Sequence, residues 1–212
     1  MATLRWPGCF SRRGPMSRSR TRTGRRHSAQ HEVVAMSSVD ASKTDRLGRT
    51  ALFLASRYGQ HQVVQVLLSD GRINPGTRDW YGSTSLFAAV ANGHFEVVEL
   101  LITGGATIEK QDGVGRSLIW WARRTGNPRV LQLLVQHAER AGSRIPDDPT
   151  PNDAISTPFD PESAWCDACT LSIREGCGYS CSVCYSRGFC LCAECFDRGI
   201  RCCEDSHDLV LR

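Results

Sequence analysis

The chain has no uninterrupted apolar run approaching the length of a membrane span, roughly 20 residues, so a membrane protein is not expected. Acid is missing from the first 31 residues, which hold eight arginines and no apolar signal core, and this speaks against secretion. No glycine-rich phosphate loop occurs. The six histidines are scattered, and none is paired to a nucleophile in motif spacing. Catalysis is therefore not expected. Cysteine is almost absent from the first 165 residues, where only Cys9 occurs, while the other ten crowd into the last 47.

What remains is ordinary for a globular protein, 41% apolar and 23% charged over 212 residues, enough for one large or two small domains. The net charge of +4 is unevenly placed. Beyond the tail, 18 Lys+Arg face 22 Asp+Glu, so the basic character belongs to the tail and not to a nucleic-acid-binding fold. Residues 1–31, with runs such as Arg18-Ser19-Arg20-Thr21-Arg22, lack apolar periodicity and read as a disordered arm. A nuclear-import or polyanion-binding segment and a mitochondrial transit peptide are the other readings. Pro7, Gly8, Gly14 and Pro15 weigh against the amphipathic helix that transit requires. The expected location is intracellular, cytoplasmic or nuclear, with mitochondria open.

A cysteine-rich segment this short cannot bury enough apolar surface to fold unaided, so disulfides or metal must staple it. Disulfides belong mostly to secreted domains. Three Cys-x-x-Cys pairs (166/169, 181/184, 192/195) set thiolates on tight turns at a bite that suits a tetrahedral ion. Zinc is the favoured staple, with a disulfide knot as the alternative.

Between residues 45 and 135 the chain repeats itself. Asp45, Asp79 and Asp112 open units in which Gly48, Gly82 and Gly115, then Ala55, Ala89 and Ala122, then Gly59, Gly93 and Gly126 recur at offsets of 34 and 33 residues. Each unit closes on an apolar block, Val63-Val64-x-Val66-Leu67-Leu68, Val97-Val98-x-Leu100-Leu101-Ile102 or Val130-Leu131-x-Leu133-Leu134-Val135, which buries one broad helical face. The mid-unit glycine ends a first helix in a left-handed turn. Asn127-Pro128 suits a cap followed by proline in the first helical turn.

These units resemble ankyrin repeats. Thr50-Ala51-Leu52-Phe53, Thr84-Ser85-Leu86-Phe87 and Ser117-Leu118-Ile119-Trp120 stand at the family's Thr-Pro-Leu-His site, and all have lost its Pro and His. Less regular first helices are expected, with aromatic packing replacing the histidine's hydrogen bonds. Three repeats, 45–78, 79–111 and 112–140, follow a degenerate N-terminal cap at 32–44, so that 32–140 forms an α-helical ankyrin solenoid. A longer array from which this chain is a piece is left open. Residues 141–164 hold five prolines and four aspartates and read as a semi-extended linker.

Residues 165–212 run Trp165-Cys-Asp-Ala-Cys169, Gly178-Tyr-Ser-Cys181-Ser-Val-Cys184, Phe189-Cys-Leu-Cys192-Ala-Glu-Cys195-Phe196, Gly199-Ile-Arg-Cys202-Cys203 and His207. This order resembles a ZZ-type zinc finger, a small α+β cross-brace module. RING fingers are set aside because no histidine lies between Cys166 and Cys203. Ankyrin units followed by such a finger resemble ankyrin–ZZ proteins of filamentous fungi. The resemblance implies two structural zinc ions, one on Cys166, Cys169, Cys192 and Cys195, the other on Cys181, Cys184 and His207 with one more ligand. Cys202 is favoured for that ligand over Cys203. Such closed coordination leaves no open position for catalysis. Cys177 and Cys190 are read as spare thiols.

Function is therefore expected to lie in binding, by a non-enzymatic scaffold whose partners are proteins or peptides. No small-molecule substrate is expected, and nucleic acid only weakly through the tail. The ankyrin resemblance implies groove positions at Arg46, Leu47, Arg49, Arg57, Tyr58, Trp80, Tyr81, Ser83, Ala91, Asn92, Gly113, Val114, Arg116, Arg124 and Thr125, a set with five arginines and no acid. Arg, Trp and Tyr dominate protein interface energetics, so an acidic partner is expected. Trp120 and Trp121 are assigned to the core between repeats. The alternative function is a reader of peptide amino termini, such as degradation signals or histone tails. The ZZ resemblance places Asp167 among the acids for that role, while Cys190 stands where the family has another aspartate.

Overall fold

The computed structural model describes residue 40 and residues 42–108, 111–112, 115–142, 160–184, 188–202 and 207–211. The Arg-rich tail and most of the expected cap and of the expected linker lie outside them.

Each repeat begins on its aspartate. Asp45 Oδ1 accepts the N–H groups of Leu47 and Arg49 at 2.9 and 3.0 Å, and Asp79 Oδ1 accepts those of Tyr81 and Ser83 at 3.0 and 2.8 Å. Asp112 Oδ1 accepts the N–H of Arg116 at 2.9 Å. These bonds close a turn tip that then feeds a pair of helices. The pairs are α1 (Ala51–Arg57) with α2 (His61–Ser69), α3 (Ser85–Ala91) with α4 (Phe95–Thr103), and α5 (Leu118–Thr125) with α6 (Pro128–Arg140). Thr50, Thr84 and Ser117 cap the first helix of each unit, their hydroxyls accepting from the N–H groups of Phe53, Phe87 and Trp120. Loss of Pro and His predicts irregular first helices, yet α1, α3 and α5 are uninterrupted. One hydroxyl per helix satisfies the exposed first turn, and Phe53, Phe87 and Trp120 are buried where the family has histidine. Asn127 caps α6 through Oδ1, with Pro128 in its first turn, as expected.

The helices stack in two layers, α1 on α3 on α5 and α2 on α4 on α6. Leu52, Leu86 and Leu118 fill the first layer, and Val64, Leu67, Val97, Val98, Leu101, Val130 and Leu134 fill the second. Each such side chain contributes about 1.5–3 kcal/mol by burial. Trp121 is buried, its indole N–H donates to Asp112 Oδ2 at 2.9 Å, and Trp120 meets it edge to face at 4.9 Å.

One glycine is needed twice over. Gly59 sits at φ +68°, and a Cβ there would lie 2.7 Å from His94 Nδ1. Gly59→Ala should destabilise the repeats by about 2 kcal/mol, the sum of left-handed strain and a displaced imidazole, read as a lower urea midpoint. His94 itself ties the two units together, its Nε2 lying 2.8 Å from the Arg57 carbonyl. A carbonyl only accepts, so Nε2 carries a hydrogen, as it can in the neutral and the charged ring alike. Burial holds the His94 pKa below the ordinary histidine value. Protonation thus favours the unfolded chain, and stability is lost as pH falls through about 6.5 and below, at no more than about 1.4 kcal/mol per pH unit. Urea midpoints at mildly alkaline and mildly acidic pH should diverge for the wild type and converge for His94→Gln.

The cysteine-rich module is built on a three-stranded antiparallel sheet of order β2-β1-β3, from β1 (Gly178–Cys181), β2 (Phe189–Cys192) and β3 (Leu209–Leu211), with helix α7 (Ala193–Asp197) directly after β2. Register sets Cys192 opposite Gly178 and sets Cys181 opposite both Phe189 and Leu209. Cysteines are thereby delivered to opposite ends of β1. The Tyr179 and Phe196 rings stack at 3.8 Å and hold α7 against the sheet.

Candidate metal centres and the junction with the repeats

Pairing of β1 with β3 brings His207, two residues before Leu209, to the end of β1 that carries Cys181. His207 Nδ1 lies 3.7 Å from Cys181 Sγ, 3.3 Å from Cys184 Sγ and 3.7 Å from Cys202 Sγ. At the other end, β2 and α7 carry Cys192 and Cys195 to the turn of Cys166 and Cys169. Two groups result, Cys166/Cys169/Cys192/Cys195 and Cys181/Cys184/Cys202/His207, each with its ligand atoms within 4.8 Å of one another. The first and third pairs share one group, and the second pair shares the other with Cys202 and His207, so the two groups interleave along the chain. Cys203 lies outside the described residues.

The donors fit a metal ion. Cys169 Sγ and Cys192 Sγ are 3.7 Å apart. That is too long for a disulfide, about 2.05 Å, and close to the ~3.8 Å edge of a tetrahedron with metal–sulfur bonds of ~2.3 Å. Burial pushes the Cys166 thiol well up, while hydrogen bonds from the thiols of Cys166, Cys169 and Cys195 drive Cys192 down. Four sulfurs thus crowd into one buried cluster, a donor set that suits a divalent cation. Each group could hold one metal ion.

The module sits on the repeats. Arg49 Nη1 donates to Asp167 Oδ1 at 2.9 Å, while Asp167 Oδ2 accepts the N–H of Cys190 at 2.8 Å. Arg57, with no exposed surface, donates from Nε to the Thr170 carbonyl at 3.1 Å. Its guanidinium lies 4.1 Å from the Trp165 ring, and that of Arg49 lies 4.5 Å from the same ring. Burial lowers the Arg57 pKa to about 10, still high enough for a full charge at neutral pH. Glu194 receives Arg116 Nη2 on Oε1 and Arg124 Nη2 on Oε2, both at 2.8 Å. The Arg116 side chain is 3% exposed and rests against Trp120 and Trp121 at 4.8 and 4.9 Å. Asn92 Nδ2 donates to Thr170 Oγ1 at 3.0 Å, and the Tyr81 hydroxyl lies 3.4 Å from the Arg201 carbonyl.

The proposed groove residues therefore divide. Arg49, Arg57, Tyr81, Asn92, Arg116 and Arg124 meet the module, where Asp167 receives Arg49. Arg46 and Trp80 are exposed, Tyr58 is half-buried, Leu47 is in the core, and Gly113 and Val114 lie outside the described residues. Glu194, Trp165 and Thr170 were not anticipated as contact residues. For Glu194 a signal existed, since Asp167 and Glu194 are the acids within the first and third Cys-x-x-Cys turns, while the expected groove set holds five arginines and no acid. Among the described residues no helix is long and apolar enough to cross a membrane.

No curated protein matches the chain. The family model for ankyrin repeats in three copies matches residues 27–112, about two-fifths of the chain. Its match begins ahead of the first described unit and stops at Asp112, so α5 and α6 lie beyond it. Residues 27–112 carry ankyrin repeats, modules that mediate protein–protein interaction.

Proposed function

We propose that this chain is a non-enzymatic protein-binding scaffold, whose ankyrin groove takes acidic protein surfaces and whose cysteine-rich module is a ZZ-type finger held by two structural zinc ions. Seven thiolates and one imidazole are the soft donor set that zinc prefers, and they leave no coordination position for a reacting water. When bound, the ions supply folding energy. The chain's own residues supply orientation, with the Cys-x-x-Cys turns presenting Asp167 and Glu194.

The observation that carries the binding reading is the junction itself. Four groove arginines, Arg49, Arg57, Arg116 and Arg124, already meet a protein surface through two carboxylates and a carbonyl. The reader of amino termini has less support, because both oxygens of Asp167 are taken, by Arg49 and by the Cys190 N–H. Arrays of acidic and neutral peptides with free or acetylated amino termini, probed with the full chain before and after chelation, discriminate the two. A scaffold of this kind selects acidic sequences irrespective of acetylation, and more strongly once the junction has opened. Selection that vanishes on acetylation would instead establish the reader.

A further inference from the structure

We propose that the cysteine-rich module is a metal-set plug for the groove: order in the Cys166/Cys169/Cys192/Cys195 group presents Asp167, the Thr170 carbonyl and Glu194 to the groove arginines, and loss of metal from that group opens the groove to an acidic peptide. The proposal rests on the reading that this group holds a metal, and goes beyond it by coupling the metal to access.

The junction's charged contacts come from one metal group. Asp167 lies between Cys166 and Cys169, Glu194 lies between Cys192 and Cys195, and Thr170 directly follows Cys169. The four sulfurs thus fix the separation of the two carboxylates that reach Arg49 at one end of the groove and Arg116 and Arg124 at the other. The second group lies at the far end of β1, and its neighbourhood adds the contact of the Arg201 carbonyl with the Tyr81 hydroxyl.

Thr170 shows how the plug is cocked. It stands at φ +68°, the one non-glycine residue with positive φ among the described residues, in a region that a β-branched side chain avoids. Such backbone persists only where its surroundings over-determine it. Here the turn supplies Thr170 N–H to the Cys166 carbonyl and Cys166 N–H to the Leu171 carbonyl, both at 2.8 Å. The groove supplies Arg57 on the Thr170 carbonyl and Asn92 on its hydroxyl. Without a metal to close the sulfur cluster, Thr170 relaxes to ordinary φ and its carbonyl turns away from Arg57. The carboxylates lose their common frame at the same step. Because the plug is tethered, its effective concentration is of millimolar order, and a free acidic peptide competes poorly until the plug leaves.

Accessibility of the arginines tests this directly. The metal-loaded full chain is treated with phenylglyoxal, and modification is read by mass spectrometry at Arg57 and Arg116, with exposed Arg123 and Arg129 as internal references. Arg57 and Arg116 should react about tenfold more slowly than the references, and chelation should bring them to the reference rate while the helical circular dichroism of the repeats persists. Binding of a fluorescein-labelled oligoglutamate peptide, followed by anisotropy, should tighten about tenfold on the same treatment. Glu194→Lys should release Arg116 with metal still bound. Arg124→Glu makes the same break from the repeat side if that variant does not fold. Reference-rate modification of Arg57 in a chain shown to contain metal would overturn the plug. Protection that survives complete metal removal would overturn the coupling. A purified chain that contains no metal yet keeps both arginines protected would overturn the coupling through failure of the metal reading, which the metal count identifies separately.

Discussion

Chelation of the purified chain should release two ions per molecule and abolish the β2-β1-β3 sheet while leaving most of the helical signal in place, because the two metal groups lie entirely within the module. The size of the effect follows from how little else holds the module together. Its strands are four, four and three residues long. Its buried set is largely the cysteines themselves, with Phe189 and Leu191 as its large apolar members. A core of that size supplies only a few kcal/mol. A structural metal site contributes about 10–16 kcal/mol of apparent binding free energy, all of it folding energy when the ligands are unordered in the apo chain. Elemental analysis with circular dichroism before and after chelation checks both parts. Retention of the sheet in metal-free protein, with sulfurs oxidised in pairs, would assign the stapling to disulfides.

Arg57→Glu is expected to be the most disruptive single substitution at the junction, and Arg57→Met among the mildest. The wild-type guanidinium is wholly buried between the Trp165 face and the Thr170 carbonyl. A carboxylate there would face a carbonyl oxygen and a ring face, both negative, with water excluded, and an uncompensated buried charge costs about 3–5 kcal/mol. Methionine fills similar volume without a charge, and its cost is that of leaving the Thr170 carbonyl unpaired, about 1–3 kcal/mol. The module can escape the cost by leaving, since Arg57 belongs to α1 of the first repeat and Trp165 and Thr170 to the module. Small-angle scattering should therefore show a larger radius of gyration for Arg57→Glu at unchanged helicity, and near wild-type dimensions for Arg57→Met. Equal dimensions for all three proteins would show that Arg57 does not hold the junction.

The repeats were legible because each unit states its own instructions locally. Asp79 binds the N–H groups of its own turn, Thr84 caps its own helix, and Gly93 makes its own left-handed turn. The expectation of irregular first helices failed because Pro and His were treated as necessary, whereas one threonine or serine hydroxyl suffices to start each helix. The cysteine pairs were legible from spacing, but spacing does not say which pair joins which. That division rested on resemblance, and in the structure it follows from the register that sets Cys192 and Cys181 at opposite ends of β1.

The junction left almost no trace in the sequence. Arg49 and Asp167 are 118 residues apart, and Arg116 and Glu194 are 78 apart. Complementary charge at such separations has no period and no motif, and an arginine that faces solvent looks the same in sequence as one that faces a carboxylate. Linear pattern alone determined the repeat frame, the Asn127 cap and the presence of paired cysteine turns that could hold metal, because each depends on neighbours within a few residues. Only the tertiary structure decided that Arg49, Arg116 and Arg124 are met by the chain's own Asp167 and Glu194, since that outcome depends on how two separately built surfaces come together in space.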